Sequence, residues 1–180
     1  MQIRLTKSFI AAGMMALALL TVASCKEKKK DYIIVTHKPI VVKSQKPRAM
    51  GDTQQSRHVS WLRNTYTVTV GLKADPSLPL ASDGEQKYYD NRITLRITRG
   101  DGSVFLDRTF TKADFKEYVD AYYDNGALLG IVYDKTEGNY LRFAASVGNP
   151  DKSSDEFVPL VLSVSNTGAV SVTKSVQIDD

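Results

Sequence analysis

Cys25 is the only cysteine in the 180-residue chain, and its thiol is the one side chain whose surroundings specify a reaction. It directly follows Val22-Ala23-Ser24, a run ending in two small residues. Before that run, Phe9 to Leu20 is one apolar stretch, and Met1 to Ser8 carries Arg4 and Lys7 with no acid. A basic start, a short apolar core and a small-residue site are the three parts of a secretory signal. The apolar core is too short to span a bilayer comfortably, which takes ~20 residues. The sequence therefore predicts a signal over residues 1–24, removed before Cys25. A buried core thiol, the usual state of a lone cysteine, does not suit a residue followed by Lys26-Glu27-Lys28-Lys29-Lys30. The remaining alternative is an ordinary secreted protein with a chance cysteine at its cleavage site.

Val22-Ala23-Ser24-Cys25 resembles the lipobox of bacterial lipoproteins. The resemblance implies that diacylglycerol alkylates the Cys25 thiol, and that the freed amine is then acylated with a palmitate-like chain. Only a thiol can form that thioether. Several acyl chains hold a protein firmly where one holds it marginally, at ~0.8 kcal/mol per buried methylene. Membrane lipid, joined through Cys25, is thus the first expected partner.

Other reactive constellations are weak or missing. The two histidines are His37 and His58, and no His-Glu-x-x-His, Gly-x-Ser-x-Gly or Gly-x-x-x-x-Gly-Lys pattern occurs. A Ser/His/Asp or Cys/His machine and a histidine-rich metal site are therefore not expected, and neither is a cofactor. Arg99-Gly100-Asp101 spells an adhesion tripeptide, but Arg-Gly-Asp-Gly is also turn chemistry, the preferred reading. Asp151 to Glu156 is an acidic loop without the alternate-oxygen spacing of a calcium loop. Among eighteen acids after residue 50, no pair stands out, and Asp114, Glu117 and Asp120 look surface-facing. Trp61, Tyr66, Tyr88 and Tyr89 offer aromatic surface for sugar or peptide, with core and sheet packing the favoured role.

The elements that carry these residues divide by charge. Residues 26–50 hold eight basic residues against two acids, whereas residues 51–180 hold fourteen against eighteen. The formal net charge of +4 thus sits in a basic tether, not on the domain, and nucleic acid is excluded as a partner. A basic run suits anionic headgroups beside an anchor; a solvated linker explains it equally well. Residues 25–57 read as that tether, with Tyr32–Val35 and Ile40–Val42 as an edge strand or loosely docked arm around Pro39. Residues 58–180 read as a single β-rich domain, long enough to bury a core without disulfides.

Within it, Trp61–Leu72 alternates as a half-buried strand. Lys73–Tyr89, with Pro76, Pro79 and Gly84, is a long break, either mobile or functional. Three hairpins follow, turning at Gly100–Gly102, Lys135–Asn139 and Asn166–Gly168. Between the first two, Phe115, Tyr118, Val119 and Tyr122 fall on one face of a helix near 111–124, capped by Thr111 with Asp114. The expected fold is mainly β, an antiparallel meander of about seven or eight strands with one packed helix, as sandwich, roll or open barrel. Tyr88-Tyr89-Asp90-Asn91 recurs as Tyr122-Tyr123-Asp124-Asn125, an echo best attributed to chance.

The lipobox and tether, with Tyr88–Leu95, Arg108–Lys112, Phe143–Pro150 and Ser154-Asp155-Glu156, resemble a family of small Bacteroidetes lipoproteins of unknown function. The resemblance covers most of residues 58–178 and carries no activity to transfer. It implies anchoring at a Gram-negative outer membrane. Surface-exposed lipoproteins of that phylum usually bear an acidic run after the cysteine. The lysines here imply the periplasmic side, and Lys26 in place of Asp gives no inner-membrane retention signal. The expected function is a non-catalytic binding or envelope-assembly module for a protein or glycan partner. Two alternatives stand beside it: a carrier of a small apolar ligand, which needs a cavity between helix and sheet, and a hydrolase using two converging carboxylates.

Overall fold

The computed structural model describes residues 46–175. Cys25, His37, the signal, the arm at residues 32–43 and most of the tether lie outside the described residues.

Eight long strands form two four-stranded antiparallel sheets. The first contains β2 (Thr53–Trp61), β3 (Asn64–Ala74), β6 (Asn91–Arg99) and β7 (Val104–Phe110) in that order. The second contains β8 (Ala127–Glu137), β9 (Tyr140–Gly148), β10 (Phe157–Ser165) and β11 (Val170–Lys174), also in chain order. A small mixed sheet joins β1 (Arg48–Ala49), β5 (Lys87–Tyr89) and β4 (Ala81–Ser82), with β1 parallel to β5. The expected meander is present as a sandwich, and the two large sheets do not pair into a barrel.

Alternation dictates the core. Val68 pairs with Ile97, Val70 with Leu95 and Leu72 with Ile93 on the inner face of the first sheet. Leu141, Phe143, Ala145 and Val147 oppose Val164, Leu162, Leu160 and Val158 on that of the second. Side chains from both faces form one hydrophobic cluster. Threonines and arginines at the intervening positions, such as Thr94 and Arg96, face water.

The meander sorts its connections by length. Running alternately down and up, the chain places the four tight turns between long strands at one end: Leu62–Arg63, Gly100–Ser103, Gly138–Asn139 and Asn166–Ala169. Residues 75–90, 111–126 and 149–156 all gather at the other end. Asp75 closes the base of the first long connection. Its Oδ1 accepts from the Ser77 hydroxyl at 2.6 Å and its Oδ2 from Arg92 Nε at 2.7 Å. These bonds, Ser77 foremost, hold its pKa at about 2.

Three expectations are corrected. First, Trp61–Leu72 is not one strand: the chain reverses at Leu62 (φ 50°) and Arg63 (φ 62°), a two-residue turn with both φ positive. Asn or Gly ordinarily marks such a turn, and here neither occupies the two central positions. Asn64 Nδ2 braces it instead by donating to Leu62 O at 3.1 Å. Second, folded structure begins before His58. β2 starts at Thr53, and Gln86 Nε2 donates to Lys46 O at 3.1 Å. The polar run 53–57 needs no apolar residues because it is the exposed half of an edge strand. Third, the packed helical segment expected near 111–124 is present, but as two short 3-10 helices, Lys112–Tyr118 and Ala121–Tyr123, separated by extended Val119 and Asp120. With three residues per turn, the i+7 position no longer shares a face. Phe115 is fully buried and Tyr118 and Val119 pack on the core, but Tyr122 is 73% exposed.

Candidate functional site

The long-connection end carries the candidate site. Thr111 starts the first 3-10 helix, and Asp114 Oδ2 accepts its backbone N–H at 2.8 Å, the reciprocal cap the sequence predicts. Phe115 then plugs into the core against Phe110, with ring centroids 6.1 Å apart. Lys112 and Lys116 flank that plug in sequence. Lys112 Nζ donates to Asp124 O and Gly126 O, each at 2.7 Å, and so ties the start of the segment to its end.

Between this segment, Leu78–Pro79 of the first long connection and Val147 of β9 lies an open cleft of about 320 Å³. Its walls are mainly apolar, with Asp90, Lys112, Lys116 and Asp124 as charged residues beside them. Asp90 is only 2% exposed. Its Oδ1 accepts two backbone N–H groups, Asn91 at 2.7 Å and Leu128 at 2.9 Å, while Asn91 Nδ2 donates to Leu128 O at 2.8 Å. Asp90 and Asn91 at the start of β6 therefore satisfy both backbone groups of Leu128 in β8 and clasp the two sheets together. Burial pushes the Asp90 carboxyl above the usual carboxylate range, against the opposing pull of those N–H groups and of Lys112.

A second concavity, of about 220 Å³, lies on the other side of Tyr123. Tyr122, Asp83, Asn125, Asn149 and Glu156 line it. Its floor is tight: a Cβ on Gly126 would come within 2.6 Å of Gly148 O, and one on Gly148 within 2.4 Å of Glu156 O. Only glycine at both positions allows the second and third long connections to meet. Asp83 accepts from the backbone of Gln86 at 2.6 Å and from Tyr88 Oη at 2.9 Å. The Gln86 bond leads in holding its pKa below the ordinary value.

The other residues singled out in the sequence are dispersed. His58 lies on exposed β2, its Nδ1 3.0 Å from Thr67 Oγ1. Arg99-Gly100-Asp101 forms the β6–β7 turn, closed by Gly102 N–H donating to Arg99 O at 2.9 Å. Asp151 folds its loop by accepting the Ser153 N–H at 2.9 Å. Among the described residues no three His, Cys, Asp or Glu side chains group as a metal site. Trp61 and Tyr66 are buried with Phe105 at the tight-turn end, and Trp61 Nε1 donates to Gly138 O at 3.1 Å. Tyr88 and Tyr89 are half-buried on β5. Asp114 caps, Glu117 is exposed, and Asp120 meets Lys174 at 3.7 Å.

Sequence reasoning missed Asp90, Lys112 and the outward Tyr122. A carboxylate placed directly before an alternating strand was the available signal for Asp90. The tetrapeptide echo has no common structural role: Asp90-Asn91 is a buried clasp, whereas Asp124-Asn125 is exposed.

No curated protein matches the chain. Residues 34–172 match a domain of unknown function, DUF4738, a span that takes in every strand from β1 to β10 and most of β11. The chain belongs to the DUF4738 family.

Proposed function

We propose that this protein is a lipid-anchored, non-catalytic binding module of the outer membrane, facing the periplasm and taking a small apolar or amphiphilic ligand at its long-connection end. The cleft beneath the 112–123 segment carries this reading. It lies between helical layer and sheet, where a carrier needs it, and its apolar walls are bordered by a few charged groups. Cys25 and its preceding small residues supply the anchor in this reading, with diacylglycerol as the covalent partner. A carboxylate hydrolase is less well supported. Asp90 commits one oxygen to two backbone N–H groups that hold the sheets together.

Photo-crosslinking tests the ligand reading. Cells expressing the full chain are fed a diazirine-bearing fatty acid, irradiated, and the adducts mapped by mass spectrometry. Crosslinks should concentrate in residues 78–79 and 112–124. Ala113→Trp, which fills the cleft from an exposed position, should remove them without lowering the melting temperature. Crosslinks that persist undiminished in that variant, or fall elsewhere in both proteins, would exclude the cleft.

A further inference from the structure

We propose that the groove beside Tyr122 is a binding site for a neutral saccharide, separate from the apolar cleft. Tyr122 is the most exposed large hydrophobic side chain among the described residues, while Trp61, Phe110, Phe115 and Phe143 are all buried. Its ring is nonetheless held in place. Tyr123 meets it edge to face, with centroids 4.9 Å apart and planes at 87°. Its hydroxyl lies 3.4 Å from Glu156 Oε1, a long contact that still fixes the direction of the ring. An exposed aromatic face braced in this way loses less freedom on binding and offers apolar area to the C–H face of a pyranose.

The surrounding groups suit hydroxyls. Asn149 Nδ2 lies 3.3 Å from Glu156 Oε2, so amide and carboxylate stand side by side as donor and acceptor. The Asn125 amide, also in the groove, makes no hydrogen bond within the described residues. A planar amide and a carboxylate together can bridge the neighbouring hydroxyls of a sugar. The volume, about 220 Å³, is on the order of one pyranose ring with its substituents.

Charge narrows the class. Among the described residues no lysine or arginine lines the groove, whereas Asp83 and Glu156 both do. A phosphate, sulfate or uronate would meet uncompensated negative charge. A cation would compete with the N–H and hydroxyl donors already on these two carboxylates. Asp83 holds two backbone N–H groups and the Tyr88 hydroxyl, and Glu156 holds Asn149 and Tyr122. A neutral, hydroxyl-rich ligand uses the ring, the amides and the spare carboxylate lone pairs together.

The test uses the full chain in lipid nanodiscs. Saturation-transfer difference NMR is run with neutral gluco-, manno- and galacto-oligosaccharides, and with choline and a glucuronate oligomer as charged controls. Transfer should go to the ring C–H protons of at least one neutral oligosaccharide. Tyr122→Ala should weaken that binding about tenfold or more, and Tyr122→Phe by no more than about threefold, because the ring carries the contact. Asn149→Ala should also weaken it, and Ala113→Trp, which fills only the apolar cleft, should leave it unchanged. Binding lost in Ala113→Trp but not in Tyr122→Ala would move the saccharide to the cleft and overturn this assignment. So would preference for choline or glucuronate, equal affinity in wild type and Tyr122→Ala, or no binding by any neutral oligosaccharide.

Discussion

At the scale of single residues, Asp90 combines two roles that pull its protonation in opposite directions. Two N–H donors favour the carboxylate, but burial costs more and its pKa is raised. A raised carboxyl pKa means that the folded state binds the proton more tightly than the unfolded chain. Stability contributed by Asp90 is therefore full below the ordinary carboxylate pKa and declines as pH rises through the raised folded value. Asp90→Asn keeps a carbonyl oxygen for the two N–H groups and cannot ionise. Its melting temperature should gain on wild type as pH rises from 3 to 7, and then level off. Asp90→Ala should cost about 2–5 kcal/mol at pH 3, since the buried Leu128 and Asn91 N–H groups lose their acceptor, and less as pH rises and the wild-type carboxyl ionises. Thermal melts of the three proteins across that range provide the check. A pH-independent gap between Asp90→Asn and wild type would refute the titration argument.

At the scale of elements, the 112–123 segment shows how a correct pattern can have a different geometry. Thr111 and Asp114 start it as expected, and Phe115 is its anchor. The segment spans from one sheet to the other, and the close approach of Gly126 to Gly148 fixes where it must end. Two short 3-10 helices with an extended break meet that distance. Phe115→Ala should cost ~3 kcal/mol or more, as expected for an emptied aromatic site in a core. Lys116→Ala, on the exposed side, should change stability by less than ~0.5 kcal/mol. Urea melts of the two variants decide this, and equal losses would show that Phe115 is not the anchor.

At the scale of the whole molecule, the meander separates scaffold from contact surface. Four tight turns close one end, and three long connections, with the cleft and the groove, occupy the other. Long connections on a rigid scaffold are where binding residues concentrate. Lys46 and β1 also lie at that end, joined to Gln86 and β5. The chain therefore enters the domain beside its candidate sites. Cells fed an alkynyl palmitate should label the wild-type chain at Cys25, and Cys25→Ala should carry no label. Equal labelling of both would remove the anchor from the proposal.

The sequence by itself determined the strands with clean alternation, because period-two patterning in Ile93–Ile97, Leu141–Val147 and Leu160–Val164 leaves only one face to bury. It determined the three later hairpins, whose Gly and Asn residues tolerate positive φ, and with them the antiparallel order. The Leu62–Arg63 reversal was illegible because neither residue favours the conformation; pairing of β2 with β3 imposes it from outside. The polar start of β2 was illegible for a related reason, since an exposed edge strand has no core face to advertise. Neither candidate site could be read locally. Asp90 acquires its shifted carboxyl only when the fold buries it, where it meets the N–H of Leu128, thirty-eight residues on. Tyr122 becomes an outward ring only because the crossing between sheets breaks the helix at Val119–Asp120. Local pattern specifies which face of a strand is buried; the distance between packed sheets decides which polar and aromatic groups meet at their ends.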